Sequence, residues 1–234
     1  MKPFKFKHFT IHQEHSALKV GTDAMLLGAI ANHEHPTHCL DIGAGTGVIA
    51  LMLAQKFQDA TIVAIEPDAS SFLDCQTNIQ QSDWSNRISS LQTSIQDFQS
   101  DQTFDLIVSN PPFYENALLS NKDEANKAKH APIGLLEDFF RYSMKLLSPS
   151  GLFWIILPSE NKEKWIDFAQ VIGLNLHSDF VIESKPSITK RCILAFGLTK
   201  TTTVEKKTLL IRNSTNDYSD EYKALTKEFH FNKL

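Results

Sequence analysis

The 234-residue chain has little that would indicate a membrane, secreted or metal-dependent protein. Its three cysteines are scattered with no C-x-x-C pair, which argues for reduced, buried thiols. No apolar run is long enough to span a bilayer, and the basic N-terminus lacks the apolar segment of a signal peptide. Nine histidines are present, but no H-x-x-x-H spacing is accompanied by a matching carboxylate on a convincing helix, so no metal is predicted. We therefore expect a cytoplasmic protein.

Positive charge is scarce in the middle of the chain. Residues 38–112 hold two cations against nine acidic residues, whereas the formal net charge of the whole chain is −4. Binding of a nucleic acid depends mainly on neutralising its phosphates, so RNA would have to use the more basic flanks and would bind weakly and in a salt-sensitive way. The candidate cations there are Lys2, Lys5, Lys7, Lys122, Lys127, Lys129, Lys185, Lys190 and Arg191.

Strand and helix patterns alternate along most of the chain. Short apolar runs of strand length are separated by longer amphipathic stretches. Such alternation predicts an α/β fold with a doubly wound, mostly parallel sheet. Two late strand patterns, near 174–182 and 190–198, have no helix between them and predict an antiparallel edge hairpin. We expect one domain over 1–234, with an N-terminal segment at 1–37 and a C-terminal extension at 199–234.

A glycine-rich turn follows the first strand pattern, Cys39-Leu40-Asp41-Ile42. Glycine allows positive φ and lets a ligand approach the backbone closely. The turn has its glycines at Gly43, Gly45 and Gly47, a G-x-G-x-G spacing, because position 48 is Val and the dinucleotide motif G-x-G-x-x-G is not met. This spacing counts against a nicotinamide-dependent oxidoreductase.

An acidic residue, Glu66, ends the second strand pattern at 60–65. A carboxylate at the carboxyl end of the second strand can accept hydrogen bonds from both hydroxyls of a ribose. Because ligands of such sheets lie beyond the carboxyl ends of the strands, Asp41, Glu66 and the segment near Asp97 are expected on one rim.

The tetrad Asn110-Pro111-Pro112-Phe113 closes the strand pattern at 103–109. Proline fixes φ, removes a backbone donor and holds the preceding residue extended. The result is a stiff turn with two acceptors, the Asn110 side-chain oxygen and the Pro111 carbonyl, beside an aromatic ring. Two acceptors and a stacking surface suit a planar ring that carries an exocyclic amine. If the tetrad stood alone, a rigid turn without chemistry would be a serious alternative.

The order of these motifs resembles that of class I S-adenosylmethionine-dependent methyltransferases that modify exocyclic amines. More closely, the chain resembles the bacterial tRNA(Val) adenine-N6 methyltransferase family, which methylates the adenine at position 37, on the 3′ side of the anticodon. The resemblance covers nearly the whole chain. It includes FTIHQ at 9–13, KVGTD at 19–23, the LDIGAGTGVIALMLAQ segment and a tail from Tyr218 to Phe229.

The resemblance implies a seven-stranded Rossmann-like sheet, S-adenosyl-L-methionine as cofactor and tRNA as partner. The glycine turn would lie under the amino-acid end of the cofactor, Asp41 would accept from its ammonium group and Glu66 would bind its ribose. Asp97 resembles the family acid that meets the adenine amine. No membrane or metal partner is expected, and the oligomeric state is left open, with a monomer slightly favoured.

For the methyl acceptor, Asn110 and Pro111 are the catalytic candidates, and Phe113 or Tyr114 would stack on the target base. N5-methylation of a protein glutamine and N2-methylation of an rRNA guanine remain alternatives, since both present a planar, amide-like nitrogen to the same tetrad. A non-catalytic module that binds cofactor or RNA is a different class, against which the intact tetrad argues. The roles of Lys129-His130 and of the extension at 208–234 are left open.

Overall fold

The structure, a computed structural model, describes residues 3–16, 18–112 and 131–231, without the side chains of 131–133 and 135. In these ranges, no helix is long and apolar enough to cross a membrane. The strands are β1 (Phe4–Lys5), β2 (Thr10–Ile11), β3 (His38–Ile42), β4 (Thr61–Ile65), β5 (Ile88–Leu91), β6 (Phe104–Ser109), β7 (Leu147–Pro158), β8 (Asn175–Lys185), β9 (Ile188–Gly197) and β10 (Glu205–Leu210). The α-helices are α1 (Thr22–Ile30), α2 (Val48–Lys56), α3 (Ala69–Gln80), α4 (Ala131–Leu146), α5 (Lys162–Val171) and α6 (Asp220–Thr226).

In the described part of the chain, eight strands form one sheet in the order β10-β8-β9-β7-β6-β3-β4-β5, and β1 pairs with β2 in a separate antiparallel ribbon. Strands β7, β6, β3, β4 and β5 are parallel neighbours, whereas β9 runs antiparallel to β7 and β8. The chain winds from β3 outward through β4 to β5 and then returns to β6 on the other side of β3. The predicted doubly wound, mostly parallel sheet is confirmed, with β3 at the point where the winding reverses.

The sheet has one strand more than the seven that the resemblance implies. Strand β10, in the C-terminal extension, pairs in parallel with β8 over six residues, from Glu205 opposite Ser178 to Leu210 opposite Glu183. The antiparallel hairpin of β8 and β9 is present, but β10 and not the hairpin forms this edge. The sequence shows a strand pattern in the extension, yet nothing local in a sequence indicates which distant strand a parallel partner will join.

Helices cover both faces of the sheet, because successive strand residues point to opposite sides. One face packs against α1, α2, α3 and α6, and the other against α4 and α5. On the second face, Phe140 of α4 is fully buried. Its ring stacks on Trp165 of α5 at 5.5 Å and meets Phe153 and Phe196 of the sheet edge-on at 5.5 and 5.4 Å. This aromatic cluster attaches both helices to the sheet.

Replacing Phe140 with Ala should lower the free energy of unfolding by about 3–5 kcal/mol, because the neighbours of a buried phenylalanine fill the cavity only partly. Urea unfolding followed by circular dichroism measures this loss. The matched control is Val171→Ala at the end of α5, where the side chain is 84% exposed. The control should change the free energy by less than about 0.5 kcal/mol. Equal losses in the two variants would contradict the role given to the cluster.

Candidate active site

The turn after β3 is left-handed at all three predicted glycines. Gly43, Gly45 and Gly47 have φ angles of 71°, 57° and 79°, a region that other residues enter only with strain. At Gly43 and Gly45, a β-carbon would have no heavy atom within 4 Å beyond the flanking residues. The turn therefore offers a bare backbone surface on which a ligand can lie.

Asp41 of β3 is completely buried beside this turn. Its Oδ2 accepts a hydrogen bond from the Ala50 N–H at 3.0 Å and so caps the N-terminus of α2, where Gly47 has no side chain to do so. Its Oδ1 is buried and has no hydrogen-bond partner in the described part of the chain. Burial raises the pKa of Asp41 to about 7, and Glu66 adds to this effect, while the Ala50 hydrogen bond opposes it.

The surroundings of Asp41 fit the cofactor that the sequence predicts. A buried carboxylate oxygen without a partner is costly in a folded protein. Beside an open backbone turn, this oxygen is a suitable acceptor for a cationic ammonium group, which would supply both the missing hydrogen bond and the missing countercharge.

Glu66, the residue after β4, braces the same turn. Its Oε2 accepts a hydrogen bond from the Gly45 N–H at 2.8 Å, and its Oε1 accepts one from the Asp68 N–H at 2.9 Å. The side chain is buried, which raises the pKa of Glu66 despite these two hydrogen bonds. Each carboxylate oxygen has a further lone pair, so bracing is compatible with the predicted binding of ribose hydroxyls. The bracing itself was missed in the sequence, because turn geometry is not visible there.

The Asn-Pro-Pro turn begins at the end of β6, next to the glycine turn in the sheet. Ser109 pairs with Ile42, and the Ser109 hydroxyl donates to the Ile42 carbonyl at 3.0 Å. Asn110, which follows, is half-buried, and Pro111 is buried. The register thus brings Asn110 to the edge at which Asp41 and the glycines lie.

For three sets of predicted residues, the described part of the structure shows no contact with the glycine turn or the Asn-Pro-Pro turn. Phe113, Tyr114 and Lys129-His130 lie outside the described residues, so their contacts with a base or phosphate stay predictions. Asp97 is exposed in the loop after β5, which already ends at Leu91. There its Oδ2 accepts a hydrogen bond from the Ser94 hydroxyl at 2.6 Å. Its predicted contact with the cofactor adenine also stays a prediction.

A buried asparagine on α3, missed in the sequence, joins the N-terminal segment to the glycine turn. The Asn78 side-chain amide donates to the carbonyls of Thr46 and His12 at 2.9 and 2.8 Å. Its Oδ1 accepts from the His12 N–H at 2.7 Å. The contact with Thr46 reaches into the turn itself, so the segment around His12 is fixed next to the candidate cofactor site.

One helical turn earlier, Asp74 holds the next part of the same segment. Its Oδ2 accepts from the backbone N–H groups of His15 and Ser16 and from the Ser16 hydroxyl, and its Oδ1 lies 2.8 Å from His15 Nδ1. Burial acts to raise the pKa of Asp74, but these hydrogen bonds outweigh it and lower the pKa below its usual value. Asp74 and Asn78 are four residues apart, so their shared helix face is a signal that could have identified them.

The fold and this edge of the sheet define a Rossmann-like α/β protein with a ligand site beyond the carboxyl ends of its strands. In the described residues, no group of three or more His, Cys, Asp or Glu side chains could hold a metal ion. A solved structure of a predicted O-methyltransferase from Agrobacterium tumefaciens has the same fold, with a TM-score of 0.66 and 17% sequence identity. The likeness covers 88% of this chain and 96% of that one.

The sequence comparisons are more specific. The methyltransferase small domain family matches residues 14–174. The tRNA1(Val) (adenine(37)-N6)-methyltransferases of Phocaeicola vulgatus and Parabacteroides distasonis are 39% and 37% identical to the chain over 98% and 97% of its length and 97% of each relative. The chain therefore belongs to the same family as these two proteins, which confirms the resemblance seen in its sequence. It is a methyltransferase, and its cofactor is S-adenosyl-L-methionine.

Replacing Asp41 with Asn should weaken the dependence of stability on pH. In the protein without cofactor, the pKa of Asp41 is raised from 3.8 to about 7. The native state therefore keeps a proton that the unfolded chain releases, so this stability is full below the unfolded pKa and is lost as the pH rises toward 7. Asparagine does not ionise, so the loss of unfolding free energy between about pH 5 and pH 8 should be smaller in the variant. Urea unfolding of both proteins across this range measures the difference, and parallel pH curves would contradict the argument.

Proposed function

We propose that the protein methylates the exocyclic N6 amine of an adenine in tRNA, namely the adenine at position 37 of tRNA(Val). The observation that carries this proposal is the stiff turn at Asn110 and Pro111, which the pairing of β6 with β3 brings to the edge that holds the glycine turn. The names and nearly full-length similarity of the curated relatives support the choice of substrate. We propose the cytoplasm as the place of action.

When bound, S-adenosyl-L-methionine supplies an electrophilic methyl group on a sulfonium. Asp41 Oδ1 would accept a hydrogen bond from the ammonium group, and the open backbone at Gly43 and Gly45 would lie against the amino-acid end. Glu66 would accept hydrogen bonds from the ribose hydroxyls while it continues to brace the turn. Asp97 would accept one from the adenine amine of the cofactor.

Asn110 and Pro111 would act on the methyl acceptor. The amine of adenine is a poor nucleophile, because its lone pair is delocalised into the ring. Hydrogen bonds from its two N–H groups to the Asn110 side-chain oxygen and the Pro111 carbonyl would favour a pyramidal nitrogen and stabilise the positive charge that it gains. The Ser109 hydrogen bond and the fixed φ of the prolines hold these acceptors in place before the substrate arrives. No general base with a shifted pKa is required.

The target base has to leave its stack to reach this edge, at a cost of a few kcal/mol that is smaller in a single-stranded loop. An anticodon loop is therefore an easier substrate than a duplex. Stacking on Phe113 or Tyr114 would offset part of this cost, by about 1–3 kcal/mol per base.

The substrate assignment predicts the modified nucleoside. Unmodified tRNA(Val), incubated with the protein and methyl-labelled S-adenosyl-L-methionine, should yield labelled N6-methyladenosine on nucleoside mass spectrometry. A tRNA with guanine in place of adenine at position 37 should take up no label. Labelled N2-methylguanosine in rRNA, or N5-methylglutamine in a protein, would replace this proposal by one of the alternative transfers.

Asn110→Ala should lower the rate of methyl transfer by about 10²–10³, the usual loss for one preorganised polar contact to developing charge. Affinity for S-adenosyl-L-methionine should change little, because Asn110 acts on the accepting amine. Single-turnover kinetics with saturating tRNA measure the rate, and calorimetry measures the affinity. The control is Gln81→Ala, which removes an exposed amide at the far end of α3 and should leave the rate unchanged. A wild-type rate in Asn110→Ala would mean that the tetrad is a turn without chemistry.

A further inference from the structure

A cleft of about 390 Å³ lies between the start of α1, the hairpin of β8 and β9, and the segment that follows β10. Among the described residues, its charged and aromatic lining consists of Asp23, Lys185, Lys190, Arg191, Arg212 and Tyr218, four cations against one acid. We infer that this basic cleft binds the phosphate backbone of the tRNA next to the target base. The inference rests on the proposed function, because it assigns the cleft to the same substrate.

The basic cleft lies on the same edge of the sheet as Asn110. Arg191 of β9 pairs with Pro158 at the carboxyl end of β7, and β7 runs parallel to β6. On the far side of the cleft, Leu210 at the carboxyl end of β10 pairs with Glu183 of β8. Neighbouring strands are about 4.8 Å apart. Strands β9 and β8 are two and three places from β6, so the cleft begins roughly 10–15 Å from the Asn110 turn along this edge. An RNA that places a base at Asn110 therefore has further phosphates within reach of the cleft.

Two lysines of the cleft are available to a ligand. Lys185 and Lys190 are exposed, and neither ammonium group forms an ion pair within the described residues. Arg191 has a different task, because its Nε donates to Asp23 Oδ2 at 2.9 Å and so ties the hairpin to the start of α1. Asp23, the acid of the described lining, therefore pairs with Arg191 and does not neutralise the charge of either lysine.

The opposite wall presents an arginine held in a fixed orientation. The Arg212 guanidinium lies 4.0 Å from the centroid of the Tyr218 ring and donates to the Asn216 carbonyl at 2.8 Å. Tyr218 in turn stacks on Tyr222 of α6, with 4.8 Å between the ring centroids. A guanidinium has five N–H donors and loses little freedom when its plane is already fixed, so Arg212 is suited to a phosphate.

The distribution of charge favours an RNA backbone as the occupant. Residues 38–112, which supply the cofactor side of the edge, hold nine acids against two cations and repel a polyanion. Screening at physiological ionic strength limits charge effects to about 8 Å, so attraction is confined to the neighbourhood of the cleft. A tRNA would thus be held by its backbone in the basic cleft while one extruded base reaches the Asn110 turn.

The test is the double variant Lys185→Gln/Lys190→Gln, with binding of unmodified tRNA(Val) measured by fluorescence anisotropy over a range of salt concentrations. The slope of log affinity against log salt should become shallower by about 0.7 for each lost contact to a phosphate of the single-stranded loop. At 0.1 M salt, this corresponds to roughly a fivefold loss of affinity per lysine. The KM for tRNA should rise in parallel, whereas the rate with saturating tRNA should stay unchanged because neither lysine belongs to the methyl-transfer site.

The matched control is Lys200→Gln/Lys206→Gln, which removes the same charge from exposed lysines near the amino edge of the sheet. It should leave the salt slope and KM at wild-type values.

The outcomes separate this inference from the proposed function. If the wild-type protein forms N6-methyladenosine in tRNA but the two double variants bind tRNA equally well, the inference about the cleft is wrong and the proposed function stands. If the wild type methylates no tRNA, the proposed function fails. Loss of binding to polyglutamate, with tRNA binding unchanged, would assign the cleft to an acidic protein and overturn the inference.

Discussion

Two buried carboxylates hold the glycine turn in shape, and the rest of the candidate site depends on that shape. Asp41 binds the Ala50 N–H at the start of α2, and Glu66 binds the Gly45 N–H inside the turn. Burial raises the pKa of both groups, so each is held at an electrostatic cost. The unpaired Oδ1 of Asp41 is the place where a cationic ligand can relieve part of this cost. The free protein is therefore strained electrostatically at the point where its cofactor would bind.

Most of the fold follows from local patterns in the sequence. The apolar strand runs, the glycine turn and the alternation with helices predict the parallel sheet and the common edge of Asp41, Glu66 and Asn110. These features are local, because strand length, turn chemistry and helix periodicity are each visible within about a dozen residues. The position of β10 was not predictable in this way, since its partner β8 lies far away in the sequence and parallel pairing requires no turn between them.

The parts of the site that the sequence did not reveal are those made by long-range contacts. The spacing of Asp74 and Asn78 places them on one helix face, but only the structure shows that both are buried against the N-terminal segment. Asp97 was expected on the rim with Asp41 and Glu66, and the structure shows it exposed in the loop that follows β5. Side-chain roles that depend on tertiary packing need the folded structure, whereas the backbone motifs do not.

Strand β10 affects how the nascent chain is protected during its synthesis. Its partner β8 is complete at residue 185, but the backbone groups along its outer side remain unpaired until Glu205–Leu210 have been synthesised. During this interval the nascent chain exposes an open edge, which is a template for pairing with another chain. Once in place, β10 presents exposed Glu205, Lys206 and Lys207, charges that discourage a further strand from adding. The last strand of the sheet thus protects the polypeptide against aggregation, and does so only after Glu205–Leu210 have been synthesised.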